Sequence, residues 1–269
     1  MQKLESIAER IRRDFDARTA ARDKALATAR QLTRACSLAI RAAHRLETDT
    51  STRLSAGTST RLSAGTSTRL SAGTSTRLSA GTSTRLSAGE MAGQLSEARS
   101  LADALRAELQ GYPDLFHAGY TQDALKEFVE ANATCALIQN QSLPTPEALG
   151  VGGATYLNGL AEVVGELRRR TLDILRHGYS QEAERLLGLM DDIYSVLVSM
   201  DYPDAITSGL RRQTDVARSI IEKTRGDITF SLRGEHLEQA IGKLIVQLNG
   251  EQARVGKEAG AFVAQGEDD

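Results

Sequence analysis

ALKEFVEANATCALI, residues 124–138, is apolar on nearly every side of a helical wheel, yet it carries two carboxylates, Glu127 and Glu130. At 100° per residue these two lie about 60° apart, with Thr134 between them and Leu125, Phe128, Val129 and Ala136 opposite. A helix so nearly hydrophobic all round is expected to be buried. Two carboxylates inside it then need a cation, a proton or a strong donor to offset their desolvation. This stretch fixes the class of fold to look for: long helices around a core, with something polar built into it.

The rest of the chain agrees. Of 269 residues 41% are hydrophobic, only 4% are aromatic, Trp is absent and there are four prolines. Long Ala/Leu/Arg/Glu-rich segments with so few breakers predict an all-α protein, one domain over residues 1–269 of about seven helices. Helical periodicity predicts elements near 3–46 (one helix or two), 91–110, 121–140, 155–177, 180–200, 204–232 and 235–249. The 155–177 helix is stopped at His177-Gly178 and the 180–200 helix is opened by a Ser180 cap. The tail, 250–269, is expected to fray. Cys36 and Cys135 have no metal-binding spacing and read as small core residues in a reducing compartment. The charged N-terminal segment is unlike a signal peptide, and no apolar run approaches the roughly 18 residues of a membrane span, so a cytoplasmic protein with no membrane partner is expected.

Residues 51–89 are five copies of STRLSAGT, the last without its Thr. In a helix each repeated Leu would rotate roughly 80° from the one before, leaving no apolar stripe. The tract is therefore expected to be a poorly ordered surface insertion, with a tethered basic arm as the competing reading. It holds five arginines and no acid, so the formal net charge of −2 conceals a body with 28 basic and 35 acidic residues. A nucleic-acid surface on that body would have to be a local patch.

A second acidic pair lies in YLNGLAEVVGELRRR, residues 156–170. Glu162 and Glu166 are four apart, a spacing at which like charges repel. Gly159 and Gly165 flank them and permit another helix to approach. Glu166 could instead pair with Arg169 or Arg170, and that reading stays open. Two carboxylate pairs on two mostly apolar helices are what a hard divalent cation needs, Mg2+ or Mn2+. A carboxylate-bridged di-iron bundle wants Glu-x-x-His repeats. None of the four histidines stands three residues after a glutamate.

Four segments together resemble a known family. KEFVEANATCALI (126–138) resembles the "QEYVEA" segment of translin-associated protein X, and 156–178 resembles the family's "DYL.G..DL.GEL.R" helix. LTRACSLAIRAAHR (32–45) resembles its "SKr.I..LHR" segment. DYPDAITSGLRRQTDVARSIIEKT (201–224) is similar to the late-helix region of archaeal translin-like proteins. The likeness runs from about residue 20 to 245 with the repeats set aside. It implies an all-α fold, a closed homo-octamer or hetero-octamer, and binding of single-stranded RNA or DNA. For the X-type subunit it implies Mg2+-dependent endoribonuclease activity. Glu127, Glu130, Glu162 and Glu166 fall on the family's acidic positions, as metal ligands and catalytic residues. Glu162 stands where the X-type pattern has aspartate, one methylene shorter. Arg30, Arg34, Arg41 and Arg45 share one helix face and are candidates for phosphate contacts, an ordinary solvated face being the competing reading. The alternating charges of Arg211, Asp215, Arg218, Glu222 and Arg225 read as an i,i+4 ion-pair ladder.

Overall fold

The computed structural model describes the backbone of residues 2–46 and 73–264 and the side chains of 3–46 and 87–251. Within the described residues the chain forms nine helices and no strand. They are α1 (Gln2–His44), α2 (Gly73–Leu109), α3 (Pro113–Phe116), α4 (Gly119–Ile138), α5 (Pro146–Leu149), α6 (Gly153–Leu175), α7 (Gln181–Ser199), α8 (Asp204–Thr207) and α9 (Leu210–Ala264). Six are long and three are single turns. Among the described residues no helix is long and apolar enough to cross a membrane.

The segment that opens the sequence reading is the middle of the molecule. α4 packs against α1 and α2 on one side and α6 on the other. On the first side Phe128, Leu125 and Val129 join Leu32, Leu105, Leu109 and an alanine-rich seam (Ala25, Ala29, Ala98, Ala102) in one core. On the second, Ala133 and Leu137 join Leu167, Leu186, Met190, Leu197, Ile221 and Ile228 of α6, α7 and α9. Being apolar all round is thus what lets α4 serve two cores. Both cysteines are buried free thiols.

Local chemistry sets the ends of α4 and α7. α4 stops at Asn140, whose φ of 56° is left-handed. The Asn140 amide donates to Leu137 and the Gln141 amide to Ala136 at 2.8 Å, a Schellman closure in which asparagine tolerates the αL position. Ser180 caps α7, its hydroxyl accepting from the Glu182 amide at 3.2 Å, with Glu182 and Glu184 in the first turn.

Two expectations change. The repeat tract largely lies outside the described residues, 47–72 wholly so, and residues 73–89 are the opening turns of α2. Once the strongly helical 90–109 segment has formed, each further residue adds a hydrogen bond without a new nucleus. Ser208 and Gly209, at φ 53° and 84°, split 204–207 from the helix that follows. Beyond them α9 runs unbroken to Ala264, through the expected break near 233–235 and most of the tail expected to fray. No proline interrupts it, and isolated glycines lower helix stability without ending a helix. Past Ile228, its last buried core residue among the described ones, α9 leaves Phe230, Leu237, Ile241, Leu244 and Leu248 exposed, the last four spaced 4, 3 and 4.

The α4–α6 crossing is closest at Gly159. A Cβ there would lie 2.7 Å from Val129 Cβ and 2.9 Å from the carbonyl oxygen of Lys126. Gly159→Ala should therefore destabilise the fold by roughly 1–3 kcal/mol in urea unfolding, as overpacked sites do. Gly188→Ala, on an open face of α7 with nothing within 4 Å, should stabilise it by roughly 0.5–1 kcal/mol. Equal effects at the two positions would contradict the close crossing.

Candidate metal centre

The contact that excludes a side chain at Gly159 falls on the turn of α4 that carries Glu127 and Glu130. It brings that turn against the turn of α6 that carries Glu162 and Glu166. All four glutamates line one cavity of about 540 Å³, closed by Ser37, Ile40 and Arg41 of α1, Arg169 of α6, and Gln213, Val216 and Ile220 of α9.

Three of the four converge. Glu127, Glu130 and Glu162 each offer a carboxylate oxygen, and these atoms all lie within 4.8 Å of one another. Oxygens bound to one cation at roughly 2.0–2.6 Å stand no farther apart than about twice that distance, so the set is within a single ion's reach. Glu166 faces the same cavity, but its carboxylate is held elsewhere. His44 Nε2 donates to it at 2.6 Å, and Arg169 Nη1 stands 3.7 Å away. The Arg169 pairing left open by the sequence is present; Arg170 goes elsewhere. Arg170, itself buried, donates to the His44 carbonyl at 2.8 Å and to the Leu46 carbonyl, at the C-terminal end of α1. Glu166 and Arg170, one turn apart, thus grip the end of α1 by its side chain and its orphan carbonyls.

The electrostatics follow the packing. Glu130 is only 9% exposed. Among the described residues it has no hydrogen bond or ion pair. Burial, then the charges of Glu127, Glu162 and Glu166, push its carboxyl up to about 8. Glu127 is raised as well, by burial first and Glu162 second. Glu166 is lowered, chiefly by the hydrogen bond from His44. Lys126 Nζ sits 2.8 Å from Glu162 Oε1. Burial disfavours its charge, but the Glu162 hydrogen bond and the Glu162, Asp123 and Glu127 charges together raise its pKa.

The arginine stripe of α1 divides. Arg30, Arg34, Arg41 and Arg45 are all exposed. Arg41 reaches the cavity, and Arg45 is paired with Glu90 at 2.7 Å. Among the described residues Arg30 and Arg34 make no ion pair. The expected ladder on α9 is present in part: Arg218 pairs with Glu222 at 3.2 Å, while Arg225 crosses to Asp191 at 2.8 Å. His44 and Lys126 were missed as partners of the acids. One signal was available, since Ser37, Arg41 and His44 follow the i, i+4, i+7 spacing of a single helix face.

No protein-family model matches the chain. An uncharacterised protein of Methanocaldococcus jannaschii is 33% identical over 134 residues, 49% of this chain and 60% of that protein, so less than two thirds of the relative's length is matched. Among solved structures of C3PO, the translin/TRAX-type complex, from archaea and fungi, AfC3PO with duplex RNA aligns at a TM-score of 0.63 and 28% identity. That match covers 84% of this chain and 97% of the other. AfC3PO without RNA aligns at 0.62 and 27% identity, over 84% and 97% of the two chains. Apo-NeC3PO aligns at 0.60 and 19% identity over 83% and 96%, a likeness of fold alone. The chain has the all-α translin-type fold.

The raised Glu130 carboxyl sets a stability profile. Its folded pKa, about 8, lies above the unfolded value of roughly 4.3. The contribution of the protonated group is full below the unfolded value and is lost as pH rises through the folded one. Protein in EDTA should therefore melt at falling temperature from pH 6 to 9. Glu130→Gln should remove most of that dependence and, at pH 8.5, gain on the order of 2 kcal/mol, roughly 4–8 °C in melting temperature. A flat wild-type profile would contradict the buried, unpaired carboxyl.

Proposed function

We propose that this chain binds RNA and is a metal-dependent endoribonuclease on single-stranded RNA, with single-stranded DNA as a possible second ligand. Glu127, Glu130 and Glu162 hold Mg2+ or Mn2+, and Glu166 completes the acidic wall beside them. The observation that carries this reading is the convergence of three carboxylate oxygens within 4.8 Å. They lie in a cavity that also holds Arg41 and Arg169. The donors fit a hard cation: they are all carboxylate oxygens, and Glu130, nine-tenths buried, has no partner among the described residues. The fold adds support, since AfC3PO, which shares it, has been captured with duplex RNA.

A divalent ion at this position would offset the charge that builds on a phosphate under in-line attack by water. The remaining work belongs to the side chains. Arg41 and Arg169 bring phosphate to the acidic wall, and Arg34 and Arg30 extend the cationic track along α1. His44 keeps Glu166 in one orientation. A Glu130 carboxyl poised near 8 is ready to give up its proton close to neutral pH, so cation uptake should release protons. Assembly belongs to the same proposal: the exposed stripe on α9 supports a homo-oligomer, an octamer by the family likeness.

A non-catalytic RNA-binding scaffold is the second reading. What favours it is that Glu162 is already satisfied by Lys126 and Glu166 by His44.

Incubation of a labelled single-stranded RNA with Mg2+ and then EDTA separates the two, with duplex RNA alongside. The enzyme reading expects cleavage that EDTA abolishes. Glu130→Gln should lose about 100-fold or more of that cleavage while binding RNA as before. Arg34→Ala and Arg41→Ala should weaken binding and lower its salt slope by about one unit per lost phosphate contact. Wild-type binding without metal-dependent cleavage would select the scaffold.

A further inference from the structure

The acidic cluster already contains one cation. Lys126 Nζ stands 2.8 Å from Glu162 Oε1, on one of the three carboxylates that converge. Among the described residues this is the only ion pair that Glu127, Glu130 or Glu162 makes. The lysine has a second acceptor within reach: Asp123 Oδ1, 3.9 Å from the same Nζ, one turn back on α4. Asp123 is exposed, whereas the side chains of Lys126 and Glu162 are three-quarters covered or nearly so. A lysine on a flexible four-carbon stem, set between an inner and an outer carboxylate, is within reach of two partners with very different surroundings.

We infer that Lys126 is the internal counter-cation of the site: it neutralises Glu162 while no metal is bound, and a divalent ion takes Glu162 from it and sends it to Asp123. This rests on the metal reading of the cluster given above. The reason is Coulombic. A divalent ion shared by Glu127, Glu130 and Glu162 would lie within a few ångström of Nζ in its inner position. Cations a few ångström apart repel appreciably even at the dielectric constant of water, and a double charge doubles the repulsion. Both cations cannot keep Glu162 without a loss of at least about tenfold in metal affinity. Asp123 offers the displaced ammonium an ion pair in water, where it needs little desolvation. Lys126 therefore holds the acidic wall together when the site is empty and sets the cation concentration at which it fills. It is a positioning residue for the site.

The probe is Mn2+ alone, titrated into the full-length protein at fixed pH and followed by calorimetry or by the EPR signal of the free ion. Lys126→Met should bind Mn2+ about tenfold or more tightly than wild type, and Lys126→Gln should shift in the same direction. Lys126→Arg, which keeps the charge, should stay within about threefold of wild type. Asp123→Asn should weaken Mn2+ binding several-fold in the wild-type background and by less than about twofold in the Lys126→Met background, because its role runs through the lysine. Wild-type uptake of Mn2+ with unchanged or weaker binding in Lys126→Met and Lys126→Gln would overturn this inference alone. So would an Asp123→Asn effect of equal size in both backgrounds. A wild type that takes up no Mn2+ would overturn the metal reading and this inference together.

Discussion

Everything in this molecule turns on the contact between α4 and α6 over Gly159. The two helices meet there with no side chain between them, Val129 and the Lys126 carbonyl filling the space a Cβ would need. Such a crossing fixes the offset between the helices to a fraction of a turn, and the acidic residues are placed by that offset. Glu127 and Glu130 on one side, and Glu162 on the other, are brought together as a consequence of backbone packing. Their mutual repulsion is tolerated because the two apolar cores on either side of α4 hold the helix in place. Stability is given up locally and recovered in the surrounding core, the usual arrangement where polar groups are assembled for chemistry.

Around that contact the partners of the acids sort by position. Glu166 is locked to α1 through His44, and Arg170 ties the end of the same helix through its carbonyls. This leaves a fixed edge, the α1 side, and an adjustable one, where Lys126 faces both Glu162 and Asp123. Of the α1 arginines, Arg41 lines the cavity from the fixed side.

Much of this was legible in the sequence, for local reasons. An apolar helix with two carboxylates one turn apart announces burial and compensation, and the Ser180 cap and the stop at His177-Gly178 are short-range chemistry. Gly159, three residues before Glu162, marked the face on which another helix could approach. What escaped the reading was non-local. His44 lies 122 residues from Glu166. No periodicity connects them, although the shared face of Ser37, Arg41 and His44 pointed inward. The long α9 replaces the two helices expected at 204–232 and 235–249 because nothing in the segment ends a helix.

The proposed function requires Glu127, Glu130 and Glu162 to share one divalent ion. Anomalous diffraction from crystals grown or soaked in Mn2+ tests it most directly, because the signal locates the ion without reference to activity. A single strong peak is expected in the cavity between α4 and α6, bonded to an oxygen of each of the three carboxylates at roughly 2.0–2.6 Å. A peak elsewhere on the protein, or an empty cavity at millimolar Mn2+ with Lys126 still on Glu162, would contradict it.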